Sequence, residues 1–148
     1  LGDVYKRQLL NYAEALAAAT QNPDFTGMKG EVEYTLSPRE ALNAVRARYN
    51  MPGITETDYA AFVKRLRNER RVELAFEGHR FWDIRRWKIG AETTKVYGLT
   101  ITPQNDGSFS YVRSVIQQRG WDDRMNFYPI ADAELFKNHN LVQNDGWK

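Results

Sequence analysis

Apolar and polar residues follow a helical period through the first half of this chain and lose it in the second. Leu9, Ala13 and Leu16 fall at i, i+4 and i+7, predicting one face of a helix over Leu9–Ala19. Alanine-rich text supports that helix, and Asn22-Pro23 ends it. Residues 21–36, punctuated by Gly27 and Gly30, read as a loop. The second helix has a full set of start signals: Ser37 as N-cap, Pro38 at the first helical position and Glu40 completing a Ser-x-x-Glu capping box. Its apolar face is Leu42, Val45 and Tyr49, and Pro52-Gly53 stops it. A third helix is expected from near Thr55, with Asp58 completing a second capping box, and carries the stripe Tyr59, Phe62, Val63 and Leu66. Val72, Leu74, Ala75 and Phe76 prolong it to about Glu77. Gly78 bends the chain, a short helix follows from about Arg80 to Trp87, and Gly90 ends it.

From Ala91 on, periodicity fades. Thr93–Thr102 alternates through Val96, Leu99 and Ile101, as a short strand or extended loop would, and Gln104-Asn105-Asp106-Gly107 is a turn. Ala131–Phe136 reads as one or two helical turns before a polar tail. The predicted fold class is mainly α, a helical array with long loops. No exact repeat with a period of about 34 residues is visible.

A length of 148 residues suits one compact domain or a piece of a larger one. With 42% hydrophobic and 27% charged residues the chain can bury a core. A net charge of +2, its signs interspersed, argues against nucleic acid as a partner. No run of about 18 apolar residues is present to cross a membrane. With no cysteine, disulfides, thiolate metal sites and cysteine nucleophiles are excluded. Leu1–Leu10 lacks a signal-peptide pattern. Residues 1–8 are similar to a translated adapter scar, and are expected to be a non-native or unstructured lead to a folded region over residues 9–148.

The densest information lies between Arg67 and Trp87. Glu69, Glu73 and Glu77 are four apart and share a helix face, Arg65 extends the row, and Arg70 stands three residues from Glu73. Past Gly78, Arg80, Asp83 and Arg86 recur every three residues, flanked by Trp82 and Trp87. Four readings fit these residue types. The charges form a paired, partly buried network that fixes the helices; Glu73, Glu77 and His79 bind a metal; two carboxylates act as a glycosidase pair; or His79, Arg80 and Trp82 contact a ligand. Opposite charges at helical spacing favour the network. The arginines would oppose a cation, and would keep the carboxylates ionised, which is wrong for a general acid. No catalytic residue, metal site or cofactor is assigned.

The run Asn68 to Trp87 (NERRVELAFEGHRFWDIRRW) resembles the C-terminal signature of the SusD/RagB family of nutrient-binding outer-membrane lipoproteins. Three flanking pieces agree with that family in order: Leu10–Leu16, Ala41–Arg48, and a closing segment formed by Tyr128-Pro129-Ile130 and Asn140–Asn144. The closing segment departs from the pattern, since Ala131, His139 and Asp145 stand where the family commonly has proline. The resemblance covers Leu9 to Trp147, as an incomplete domain, the C-terminal part of a much longer family protein.

What the resemblance implies is a tetratricopeptide-like helical array on the extracellular face of the outer membrane. The attachment is an N-terminal lipid that these residues do not include. The family partner is a TonB-dependent SusC-like transporter, and the ligand an oligosaccharide or other nutrient that is captured without turnover. In the family the principal sugar contacts lie upstream of this region. The signature residues Glu69, Arg70, Glu73, Glu77, Gly78, His79, Arg80, Asp83, Arg86 and Trp87 therefore read as scaffold. Tyr111, Trp121, Phe127 and Tyr128 lie in loop-like text, where aromatics either pin a loop or stack on sugar. Tyr111 and Trp121 are the ligand-contact candidates. His79 and His139 read as structural or solvated. The alternative function is a helical-repeat interaction scaffold without a small ligand. Two further expectations concern stability: the helices should leave an apolar face uncovered, and Arg70 and Glu73 should belong to one buried network.

Overall fold

The computed structural model describes residues 3–147. They divide into two compact units at Arg80/Phe81, within a helix.

The first unit is a three-helix cluster. Helix α1 spans Asp3–Thr20, α2 Pro38–Ala47 and α3 Tyr59–Glu73. Leu9, Leu10, Ala13 and Ala17 of α1 meet Ala41, Leu42 and Val45 of α2 and Phe62 and Leu66 of α3 in one core, joined by Ile54 and Leu74. Phe62, Leu10, Leu42, Leu66 and Leu74 are essentially inaccessible to water. Burying each such side chain contributes about 1.5–3 kcal/mol. The expected apolar faces are thus found in part: Tyr49 lies beyond the end of α2 and is exposed, and past Leu66 only Leu74 of the expected apolar residues is buried, Val72, Ala75 and Phe76 being exposed.

The start signals of α2 work as read. The Ser37 hydroxyl accepts from the Glu40 amide, and the Glu40 carboxylate accepts from the Ser37 amide at 2.8 Å. The start of α3 differs from expectation. Asp58 is itself the N-cap, accepting from the Ala61 amide at 2.8 Å, so Thr55 lies outside the helix. The end differs as well. Helix α3 stops at Glu73, not Glu77, and Phe76 turns into the left-handed region at φ 64°. Gly78 follows with φ 75°, a conformation glycine adopts without steric cost.

Of the lead expected to be unstructured, Leu1 and Gly2 fall outside the described residues, and residues 3–8 are helical. The reason is electrostatic as well as local. Lys6 donates to the Glu73 carbonyl at 2.7 Å and pairs with Glu77 at 2.7 Å. A cation is favoured at that place because the exposed carbonyls of a helix C-terminus carry partial negative charge.

The loop over residues 21–36 contains a small hairpin that periodicity did not reveal, β1 (Gly27–Lys29) against β2 (Val32–Tyr34). Strands of three residues are too short to display alternation. Tyr34 anchors the hairpin between Tyr12 and Phe25, with ring centroids 6.3 and 6.4 Å away. The Tyr12 hydroxyl donates to the Leu36 carbonyl, and burial raises its pKa above the usual phenol value.

The second unit is built differently. Helix α4 (His79–Arg86) leads into a 3₁₀ turn at Gly90–Thr93. Then comes a long antiparallel hairpin of β3 (Lys95–Pro103) and β4 (Phe109–Gln118), a second 3₁₀ turn at Asp123–Asn126, and α5 (Asp132–Lys137). The pairing runs from Pro103↔Phe109 to Tyr97↔Val115, then shifts by one residue so that Val96 faces Gln117. Every residue from Leu99 to Phe109 and from Tyr111 to Gly120 is exposed. The architecture is mainly α, as expected, with the two hairpins added to it. Among the described residues no helix is long and apolar enough to cross a membrane.

Candidate functional site

The charged signature separates into two places. In the first unit, Glu69 and Arg70 sit adjacent near the end of α3 and are both buried. Arg46 of α2 reaches Glu69 at 2.5 Å and also donates to the Pro52 carbonyl at 2.9 Å. Arg70 donates to the Asn11 side chain at 2.7 Å and lies 3.7 Å from Glu14, both on α1. The partners are therefore on neighbouring helices, whereas spacing alone had suggested Arg70 with Glu73 along α3. A one-turn offset on one helix was the nearest pairing visible in the sequence; the three-helix packing adds partners from other helices. Glu73 contributes its carbonyl, and Glu77 its carboxylate, to Lys6. His79 and Arg80 are half-buried at the start of α4. Among the described residues no group of three or more His, Cys, Asp or Glu converges as a metal site would require.

In the second unit, Asp83 is buried and accepts from Arg86 at 2.8 Å. The Arg86 guanidinium lies 4.7 Å from the centre of the Trp87 ring. One face of α4 gathers aromatics. Phe81 and Trp82 meet edge to face at 5.1 Å, and Tyr128 lies about as close to each, at 6.0 and 5.9 Å. Arg85 projects into this cluster, 3.6 Å from the Phe81 centroid, 5.5 Å from Trp121 and 5.7 Å from Tyr128. Each such contact contributes roughly 0.5–1 kcal/mol when exposed and more when dry.

Beside the cluster opens a cleft of about 410 Å³ lined by Trp82, Arg85, Arg86, Lys88, Asn126 and Phe127. A neighbouring depression of about 400 Å³ shares Lys88, Asn126 and Phe127 and adds acidic groups, among them Asp122 and Asp145. Two polar atoms of the cleft-lining side chains are buried without a hydrogen-bond partner among the described residues, Arg85 Nε and Asn126 Oδ1. Aromatic faces beside amide and guanidinium groups can stack on a ring and read its hydroxyls.

The two ligand-contact candidates lie apart. Tyr111 is exposed on β4. Trp121 is half-buried, its ring so close to Gly90 that a Cβ there would stand 2.0 Å from it. Sequence reasoning missed Asn126 and Arg85. Arg85 was concealed in a run of arginines, and Asn126 in polar loop text.

The closing segment is held by its own amides. Gln143 accepts from the Ile130 amide at 2.7 Å and donates to the Ile130 carbonyl at 2.8 Å. Asn144 donates to the Tyr128 carbonyl at 2.5 Å. The Trp147 indole donates to the Arg124 and Phe127 carbonyls, both at 3.0 Å. The two stretches that resembled a family ending are thus paired with each other.

Residues 2–147 match the sequence model of the SusD family. A SusD-like protein P2 of Formosa agariphila is 30% identical over 142 residues, 92% of this chain and 25% of that protein. A crystal structure of a SusD-like protein from Bacteroides fragilis aligns with a TM-score of 0.70 at 33% identity, over 96% of this chain and 24% of that one. The chain spans about a quarter of the length of these relatives. It belongs to the SusD family.

Proposed function

We propose that this chain is part of a non-catalytic capture protein. It holds a glycan or other nutrient at the outer face of the outer membrane for delivery to a TonB-dependent SusC-like transporter. The observation that carries this reading is the family match along residues 2–147. The signature residues act in it as scaffold. Arg46–Glu69 and Arg70–Asn11 fasten α3 to the neighbouring helices, and Asp83–Arg86 steadies α4. The membrane attachment is a lipid carried on polypeptide beyond these residues.

Capture without turnover needs a surface that contacts sugar and releases it intact. The carboxylates of Glu69 and Asp83 suit that role because each is engaged by an arginine as part of the scaffold. The test uses a family-length protein that contains this region, presented with oligosaccharides from plant, host and starch glycans. Saturable binding with no release of reducing ends, together with co-purification with the SusC-like transporter, is the expected outcome. Detectable hydrolysis, or failure to bind any glycan or peptide, would overturn the proposal.

A further inference from the structure

The β3–β4 hairpin has two unlike faces. In an antiparallel pair, directly opposed residues point to the same side and alternate pairs to opposite sides. One side therefore carries Tyr97, Leu99, Ile101 and Pro103 opposite Val115, Arg113, Tyr111 and Phe109. The other carries Gly98, Thr100 and Thr102 opposite Ser114, Val112 and Ser110. The first side is apolar apart from the Tyr97 and Tyr111 hydroxyls and Arg113, whose guanidinium lies 4.0 Å from the Tyr97 ring centre. Its residues are open to solvent: Leu99, Ile101 and Phe109 are each more than half exposed, and Tyr111 is 62% exposed. Both strands belong to a two-stranded sheet, so each also presents an unpaired edge.

A lone two-stranded hairpin is marginal in water, and one-sided patterning specifies register only where that side is buried. The pattern thus calls for an occupant, and the chemistry of the face narrows the choice. A sugar surface intersperses aromatics with hydrogen-bonding groups. Here Leu99, Ile101, Pro103 and Val115 are aliphatic, and the one charged group is stacked on a ring. That composition is a protein core cut open. The relatives matched over nearly all of this chain are about four times its length. We propose that the Tyr97–Ile101–Tyr111 face is covered by the remaining polypeptide of a family-length SusD protein, as an internal packing surface and not a ligand or transporter surface. Tyr111 is then a packing residue.

The test compares two lysine pairs in a family-length protein containing this region. Ile101→Lys with Tyr111→Lys places charge on the apolar face, and Thr100→Lys with Thr102→Lys places the same charge on the other. The expected result is a thermal midpoint lowered by many degrees for the first pair and nearly unchanged for the second. Should the first pair yield no soluble protein, Ile101→Ala against Thr100→Ala gives the same contrast more mildly. Equal midpoints for the two faces would overturn the proposal. Three other results would reassign the face, each with the midpoint intact. They are loss of co-purification with the SusC-like transporter, loss of oligosaccharide binding, or loss of a concentration-dependent dimer in light scattering, caused by the apolar-face variant alone.

Discussion

A carboxylate at position 69 matters because its partner has little access to water. The Glu69 and Arg46 side chains are 8% and 13% exposed, so removing either leaves a buried, uncompensated charge. Glu69→Ala should destabilise the chain by about 3–5 kcal/mol, read as a lower urea midpoint at unchanged slope. A loss below about 1 kcal/mol would mean that the pair behaves as a surface ion pair. Phe76 presents the opposite case. Its side chain is fully exposed and its backbone lies at φ 64°, where a side chain clashes with the following carbonyl. Phe76→Gly should stabilise the 148-residue chain by about 1 kcal/mol in the same titration. No loss of packing is expected to offset it, because the ring contacts solvent. At this scale the sequence was legible where a side chain's role is local, as at Ser37 and Glu40, although Asp58, read as the partner in a capping box, is itself the cap. It was opaque where a partner comes from another helix. Nothing in the spacing of Arg46 and Glu69, or of Arg70 and Asn11, signals that they meet.

Elements were legible in proportion to their length and burial. Helix α2 shows its cap, its stripe and its core face in the sequence, and β3 shows its alternation. Strand β4 carries a comparable alternation, with Phe109, Tyr111, Arg113 and Val115 on one side, across an Asp106-Gly107 turn. Arg113 and the serines hide it from a purely hydrophobic reading. The end of α3 was misjudged because Leu74, Ala75 and Phe76 continue the apolar text past the last helical turn. The loop before α2 is also held by a forked contact. Arg39 donates to both Asp24 oxygens, at 2.5 and 2.9 Å, and this bonding keeps the Asp24 carboxyl below its ordinary pKa. The folded state therefore binds that proton more weakly than the unfolded chain. The contact's contribution is complete above the ordinary aspartate pKa and is lost as pH falls through and below it. Asp24→Asn should flatten the acid limb of a stability–pH curve while leaving its neutral limb sloped as before. Because the Asp24 side chain is 54% exposed, the change will be modest. An unchanged acid limb in the variant would show that the fork contributes nothing to acid stability.

At the scale of the whole molecule, the two units differ in what can hold them. In the first, α1, α2 and α3 enclose Phe62, Leu10, Leu42 and Leu66. In the second, the buried residues among those described are Asp83 and Gly90, a charged group and a glycine, and the strands lie open to water on both sides. Hydrophobic burial is the main favourable term in folding, so local stability should follow this division. Amide exchange on the 148-residue chain tests it. Core amides of α1–α3 should exchange through the largest openings, and amides of β3 and β4 should exchange far faster despite their cross-strand bonds. The closing segment should fall between them, since Gln143, Asn144 and Trp147 tie it down by hydrogen bonds without an apolar core. Equal protection of the hairpin and the helices would require a source of stability beyond buried apolar area. A fast-exchanging hairpin that gains protection in a family-length protein would instead locate the missing stability in the polypeptide that packs on it. The division also accounts for the uneven legibility of the sequence. The half with a core of its own displays its periodicity, and the half without one shows alternation only along its strands.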